Sequence, residues 1–143
     1  MRVLVTGASG KMGSVVTRLL RAQHQVLGVD LAAGAETDVV ADIRDEAVLA
    51  RCLVAQDAVV HLAALHAPHR DSGSTDADFV AINVNATKCL LRCARAAGVV
   101  RFMLASTTSV YGDALLDTHS AVWVTESLTP QPRDIYDRSE SVV

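Results

Sequence analysis

The stretch Val3-Leu-Val-Thr-Gly-Ala-Ser-Gly-Lys-Met-Gly13 decides the fold of this chain. Its first three residues are apolar and two of them are β-branched, so they predict a short buried strand that stops at Thr6-Gly7. Apolar residues then recur at helical spacing, at Met12, Val15, Val16, Leu19 and Leu20. The glycines therefore lie in a tight turn that joins a buried strand to a helix.

Three glycines in such a turn are typical of a dinucleotide-binding site. Gly7 can adopt the backbone conformation that the turn needs, Gly10 lets a pyrophosphate approach without meeting a Cβ atom, and Gly13 lets the helix pack close to its strand. Free N–H groups at the helix start, at the positive end of its dipole, then face the phosphates. The alternative is a glycine-rich turn without a ligand, but the strand before and the helix after favour the dinucleotide interpretation.

Composition indicates one α/β domain. The chain has 143 residues, half of them apolar but only 3% aromatic, which suits Val-, Leu- and Ala-rich parallel strands covered by helices. The net charge of −3 comes with no basic stripe, so neither a nucleic acid nor a membrane surface is expected as a partner. Met1 and Arg2 lead directly into the first strand and no apolar run approaches the ~20 residues of a membrane span, so we expect a cytoplasmic protein.

The three cysteines do not predict a metal site or a disulfide framework. Cys52, Cys89 and Cys93 fall within helical patterns, and neither their spacing nor their number fits such a role. We therefore expect reduced thiols and no metal.

Strand and helix patterns alternate along the chain. After the first helix, which should end near His24, the strands are predicted at Val26–Asp30, Asp38–Asp42, Asp57–Leu62 and Val99–Ala105. Helices are predicted around Ala47–Leu53, with Asp45 as N-cap, and over Asp76–Ala97, with Gly98 as the stop signal. Short connections and right-handed crossovers then give a Rossmann-type, doubly wound parallel sheet of order 3-2-1-4-5, with a ligand crevice beyond the carboxyl ends of its strands.

Two carboxylates fall at predicted strand ends. Asp30 lies 23 residues after Gly7, about where a dinucleotide-binding fold places an acidic residue on the adenosine ribose. It would accept hydrogen bonds from both ribose hydroxyls and repel a 2′-phosphate, and Leu31 and Ala32 follow it without an arginine, so NAD is favoured over NADP. Asp42 could accept from the adenine amino group, or could serve only in a turn or cap.

Histidines near the predicted crevice receive different interpretations. His61 sits inside a predicted strand, where a satisfied core histidine is the more common role, so it is given no catalytic function. The polar segment from His66 to Thr75 is predicted to be a surface loop near the crevice, in contact with substrate or only with solvent.

Taken together, these motifs resemble the extended short-chain dehydrogenase/reductase family, the NAD-dependent epimerases and dehydratases of nucleotide sugars. Thr6–Gly13 matches the TGxxGxxG pattern, Leu62–His66 the segment that lines the nicotinamide, Asn83–Thr87 the NVxGT segment and Ser106–Gly112 the serine-rich strand end with VYG. The resemblance implies cofactor contacts at Gly7, Gly10, Lys11, Met12, Gly13, Asp30, Asp42, Ile43, Leu62, Ala63, Ala64, His66 and Asn83.

The same resemblance implies catalytic roles for Thr107 and Tyr136. The tyrosine must lose its proton near neutral pH, although its reference pKa is about 10. Relatives carry a lysine one helical turn later to lower that pKa, and the Thr hydroxyl steadies the reacting oxygen. Here Glu140 stands in place of the lysine, and its negative charge is expected to raise the pKa of Tyr136.

The resemblance implies an NAD-dependent epimerase, dehydratase or dehydrogenase acting on a nucleotide sugar or related hydroxyl compound. The alternative is an inactive fragment or a non-catalytic NAD-binding sensor or scaffold, because of Glu140 and because the chain ends at Val143. Residues 1–143 are thus expected to form one NAD(P)-binding domain, without a sixth strand or the C-terminal substrate-binding part. A homodimer is left open, since the fifth strand would otherwise be a bare sheet edge.

Overall fold

The computed structural model describes residues 1–66, 69, 72–116 and 121–142. A single five-stranded sheet forms their centre, and every strand pair in it is parallel. The spatial order is β3-β2-β1-β4-β5, so the predicted order is confirmed. The strands are β1 (Arg2–Thr6), β2 (Gln25–Asp30), β3 (Val39–Val40), β4 (Ala58–His61) and β5 (Arg101–Leu104).

Helices connect these strands or follow them in the part of the chain that the structure describes. They are α1 (Lys11–Arg21), α2 (Glu46–Cys52), α3 (residues 76–96) and α4 (Ile135–Ser141), and a 3₁₀ segment with a kink at Gly112 spans Thr108–Leu115. The long helix α3 has three parts: an α-helical turn at Asp76–Phe79, a π-helical segment at Val80–Ala86 and an α-helix at Thr87–Ala96.

The helix ends follow from local chemistry. The Asp45 side chain accepts from the Val48 N–H at 3.1 Å, which confirms its predicted role as the N-cap of α2. Thr75 and Asp78 form a reciprocal capping box at the start of α3. Gly98 follows α3 with a φ of +77°, as expected for the residue that ends a helix.

The helices cover both faces of the sheet. Leu4 faces the larger core cluster, where β1, β2 and β4 pack against Leu49 of α2 and Leu90 of α3. Val3 and Val5 point to the opposite face and pack with Leu20 of α1. This alternation within one strand is what a central strand of a doubly wound sheet requires.

Some predicted boundaries differ from the observed ones. Strand β3 has two residues, Val39 and Val40, instead of the predicted Asp38–Asp42. At its start the Asp38 carboxylate, and not a main-chain carbonyl, accepts from the Gly28 N–H at 2.7 Å. Main-chain hydrogen bonds from Asp38 to Gly28 and from Ala41 to Asp30 still flank the strand. Helix α1 ends at Arg21, three residues before the predicted end near His24.

Other predictions concern the loop, the thiols and the membrane. Residues 67, 68, 70 and 71 of the predicted 66–75 loop lie outside the described residues.

Cys52 and Cys89 are buried, Cys93 is partly buried, and all three are free thiols as predicted. Over the described ranges, no helix has the length and apolar character needed to span a bilayer.

His61 is a hydrogen-bonded core residue, as predicted. It is 1% exposed, and its ring nitrogens lie 2.5 Å from the Thr6 hydroxyl and 2.8 Å from the Thr87 hydroxyl. Burial lowers the pKa of His61 from 6.5 to about 4. The side chain therefore ties β1, β4 and α3 together in its neutral form.

This burial predicts a loss of stability in acid. Because the unfolded chain takes up a proton on His61 below pH 6.5 and the folded chain resists it down to about pH 4, stability is fully present above pH 6.5 and falls through that window. Over this window, protonation of His61 is expected to lower the free energy of unfolding by about 3 kcal/mol. Urea unfolding of the wild type and of His61→Gln across the window should show a shallower pH dependence for the variant, and parallel curves would contradict the assignment.

Candidate functional site

A cavity of about 650 Å³ opens beyond the carboxyl ends of the strands. This volume is in the range of sites that hold cofactors and drug-sized ligands. Of the predicted site residues, the cavity is lined by Gly7, Gly10, Lys11, Met12, Gly13, Asp30, Asp42, Ile43, Leu62, Ala63, Ala64, His66, Asn83 and Tyr136. The structure therefore brings together every predicted cofactor contact, and one of the two predicted catalytic residues, around one space.

The glycine turn is built by close main-chain approach. Gly7 has a φ of +76°, and a Cβ atom there would lie 2.7 Å from the Ala63 nitrogen. A Cβ atom on Gly13 would lie only 1.8 Å from the carbonyl oxygen of Gly7. Both positions thus require glycine, one for its backbone conformation as well as for space.

The first turn of α1 is open to an anion. Gly10 is the N-cap and no side chain caps this helix end. The main-chain N–H groups of Lys11, Met12 and Gly13 come before the first intrahelical hydrogen bonds, and all three residues line the cavity. Uncapped main-chain N–H groups at the positive end of a helix dipole fit a diphosphate.

Asp30 is held at the cavity wall by two main-chain groups. Its carboxylate accepts from the Ser9 N–H at 2.9 Å and from the Ala32 N–H at 3.0 Å. Two carboxylate oxygens offer about four acceptor sites, so further donors such as ribose hydroxyls can still be accepted. The two contacts fix the carboxylate beside the glycine turn and leave acceptor sites free for a ligand.

Asp42 takes part in a turn, one of the two roles left open by the sequence. It accepts from the Arg44 N–H at 2.9 Å and from the Arg44 guanidinium at 3.0 Å and 2.5 Å. These hydrogen bonds hold the pKa of Asp42 below its ordinary value. Arg44 itself also lines the cavity. Sequence reasoning missed Arg44, and the only available signal was its position two residues after Asp42.

Asn83 lies in the π-helical segment of α3 and braces a cavity loop. Its side-chain oxygen accepts from the Leu65 N–H, and its nitrogen donates to the Leu65 carbonyl, both at 2.8 Å. The same nitrogen donates to the Ser139 hydroxyl at 3.0 Å. The side chain, 4% exposed, thus fixes the Leu62–His66 segment relative to α4.

Thr107 and Tyr136 are brought together although they are distant in sequence. Thr107 does not line the cavity. Its hydroxyl donates to the Ser109 hydroxyl and accepts from the Ser109 N–H, both at 3.2 Å. Burial raises the pKa of Tyr136, the nearby Thr107 hydroxyl lowers it, and the charge of Glu140 raises it again. The predicted direction of the Glu140 effect is therefore confirmed. Glu140 also lines the cavity, and burial raises its own pKa.

Comparison with known proteins identifies the family. Residues 3–142 match the NAD dependent epimerase/dehydratase family. The chain belongs to this family. A UDP-glucose 4-epimerase from Klebsiella pneumoniae is 35% identical over 131 residues, which cover 79% of this chain and 94% of that protein.

Solved members of the NAD dependent epimerase/dehydratase and short-chain dehydrogenase/reductase families share the fold. A short-chain dehydrogenase/reductase superfamily protein from Agrobacterium tumefaciens, solved with bound NAD, is 32% identical with a TM-score of 0.84, covering 99% of this chain and 42% of that chain. A dTDP-glucose 4,6-dehydratase from Streptomyces venezuelae, also solved with NAD, is 34% identical with a TM-score of 0.83, covering 99% of this chain and 48% of that one. This chain therefore spans less than half the length of these two relatives.

These findings confirm three of the predictions: the family resemblance, the Rossmann-type fold and, at the level of the family, NAD as the cofactor. The roles of individual residues stay predictions.

Gly13→Ala tests the close main-chain contact between Gly13 and Gly7 beside the cavity. Because the added Cβ atom would overlap a carbonyl that belongs to the turn, we expect a loss of about 3 kcal/mol in the free energy of unfolding. Ser14→Ala, at the next position of α1 and outside the cavity lining, should change it by less than about 0.5 kcal/mol. Chemical denaturation measures both, and equal effects would show that the contact is not required.

Proposed function

We propose that this chain binds NAD in the cavity, with the diphosphate on the Gly7–Gly13 turn. The observation that carries the proposal is the uncapped first turn of α1, which opens into the same space as Asp30 and Tyr136. In this arrangement Asp30 binds the adenosine ribose, Asp42 and Ile43 border the adenine, and Leu62–His66 with Asn83 border the nicotinamide. The NAD bound in solved relatives supports NAD as the ligand of this cavity.

Asp30 also sets the preference for NAD over NADP. Its carboxylate is fixed by the Ser9 and Ala32 amides, so it cannot swing away from a ligand at the turn without losing both hydrogen bonds. A 2′-phosphate at that position would meet a fixed negative charge, whereas two ribose hydroxyls would each find an acceptor.

Asp30→Ala should weaken NAD binding by about tenfold, equal to about 1.4 kcal/mol, and should reduce the preference against NADP. Asp30→Asn separates charge from shape, because it keeps an acceptor for the Ser9 N–H but removes the repulsion of a 2′-phosphate. Calorimetric titration of each protein with NAD and NADP measures these effects, with Glu126→Ala, an exposed carboxylate outside the cavity, as control. Unchanged affinities for both cofactors would remove Asp30 from the site.

The reaction we propose is hydride transfer at a hydroxyl-bearing carbon of a nucleotide sugar or related compound. Bound NAD would supply the hydride acceptor and, in an epimerase or dehydratase, return the hydride later. The Tyr136 phenolate would take the proton of the substrate hydroxyl, and the Thr107 hydroxyl, which lowers the pKa of Tyr136, would steady the reacting oxygen. The names of relatives that act on UDP-glucose and dTDP-glucose support this substrate class.

Glu140 limits that reaction in this chain. It stands one helical turn after Tyr136, and its charge and the burial of the phenol both raise the pKa of Tyr136. Arg138, the nearest cation in sequence, donates instead to the Asp134 carbonyl at 3.2 Å. We therefore propose a protein that binds NAD well and turns over slowly near neutral pH.

Glu140→Lys should move the phenolate titration of Tyr136 to lower pH and increase NAD reduction in the presence of a nucleotide sugar, because a cation then faces the phenolate. Glu140→Gln removes only the negative charge and should give a smaller shift in the same direction. Ultraviolet titration measures the phenolate, with Tyr136→Phe used to subtract the signal of Tyr111, the other tyrosine of the chain. If neither variant alters the titration, the proposed effect of Glu140 on Tyr136 is wrong. Glu140→Lys is also to be assayed together with the C-terminal part of a solved relative, and a shifted titration without hydride transfer there would favour a non-catalytic NAD-binding module.

The selection of the sugar is proposed to lie mainly outside residues 1–143. These two solved relatives are more than twice as long as this chain. We propose that the present residues form the cofactor-binding part of the site.

A further inference from the structure

A second group of chemically reactive side chains lies where α2 packs against α3, outside the cofactor cavity. The ligand atoms of Glu46, Cys89 and Cys93 all lie within 4.8 Å of one another. None of the three lines the cavity. The group is therefore separate from the cofactor site, and its chemistry does not depend on the proposed function.

The fold brings these three residues together in a simple way. Cys89 and Cys93 are four residues apart in the regular α-helical part of α3, so their side chains share one face of the helix. Glu46 is the first residue of α2, and the Asp45 cap fixes its position at the helix start. Contact between Leu49 of α2 and Leu90 of α3 in one core cluster holds the two helices in register.

We propose that Glu46, Cys89 and Cys93 bind a thiophilic divalent cation, Zn²⁺ in the first instance, with water as the fourth ligand. Two thiolates and one carboxylate are ligands that Zn²⁺ uses in proteins. In a tetrahedral site with Zn–S bonds of about 2.3 Å, two sulfur ligands lie about 3.8 Å apart, so only small side-chain rotations separate the observed group from a metal site.

The access route and the charge also fit a cation. Cys89 is buried and Cys93 partly buried, whereas Glu46 is exposed, so a hydrated ion would meet the carboxylate first and then the sulfurs. On binding, the ion displaces the two thiol protons, which pass to solvent, and two thiolates and one carboxylate then coordinate it.

A disulfide between the same cysteines fits the structure less well. Cβ atoms four residues apart in a regular helix lie about 5–6 Å from each other, whereas a disulfide needs about 3.8 Å. Oxidation would therefore require α3 to unwind in its Thr87–Ala96 part, which packs into the core. A bridging ion needs no such change.

The test is a titration of the fully reduced protein with Cd²⁺, which gives an ultraviolet sulfur-to-metal charge-transfer band, followed by Zn²⁺ in competition with a chromophoric chelator. We expect one equivalent of either ion to saturate the protein and Zn²⁺ to raise its thermal midpoint. Cys93→Ser should abolish the band. Glu46→Gln should weaken binding by about tenfold or more, since loss of even an outer-shell contact costs that much at metal sites.

Cys52→Ala is the matched control, because Cys52 is a buried thiol of α2 that does not belong to the group of Glu46, Cys89 and Cys93. It should leave the stoichiometry and the charge-transfer band unchanged, and circular dichroism would establish that each variant is folded. Binding that does not saturate, or a band that Cys52→Ala removes as fully as Cys93→Ser does, would overturn the proposal. NAD titration of the same proteins is an independent measurement, so failure of the metal site leaves the proposed function untouched.

Discussion

The close main-chain contact between Gly7 and Gly13 is the constraint on which the rest of the structure depends. A side chain at Gly13 would overlap the Gly7 carbonyl, and one at Gly7 would meet the Ala63 amide. Strand β1, helix α1 and the exit of β4 therefore approach each other without intervening side chains. This proximity leaves the first-turn amides of α1 facing open space, and it brings the Leu62–His66 segment next to the glycine turn in the lining of the same cavity.

The sequence predicted the strand order and the position of the cavity because both depend on short-range patterns. The glycine turn, the apolar strands and Asp30 each have a local cause, and parallel strands then bring their carboxyl ends to one edge. The length of β3 could not be predicted in this way. At the start of β3 the Asp38 carboxylate accepts from the Gly28 N–H in place of a main-chain carbonyl. An aspartate in an extended stretch of sequence carries no signal for that replacement.

The hydrogen bonds between the Asn83 side chain and the Leu65 main chain could not be predicted from the sequence either. A seven-residue π-helical segment, Val80–Ala86, interrupts α3, while the apolar spacing of the sequence predicts one continuous helix. Within that segment Asn83 meets both main-chain polar groups of Leu65, so its amide orders the cavity wall as well as lining it. Long-range contacts of this kind, and the approach of Thr107 to Tyr136, are set by tertiary packing and not by spacing along the chain.

An ionised Tyr136 and a neutral Glu140 are favoured by opposite changes of pH. Burial is the largest influence on its pKa and favours the neutral phenol, and ionised Glu140 adds to that preference. Burial also raises the pKa of Glu140, so its charge is most easily lost as the pH falls. The phenolate, in contrast, gains population only as the pH rises. Since no pH favours both a neutral Glu140 and an ionised Tyr136, Thr107 is the one of these three side chains that opposes the rise in the pKa of Tyr136. Any further stabilisation of the phenolate has to come from a positive charge or a hydrogen-bond donor beyond them.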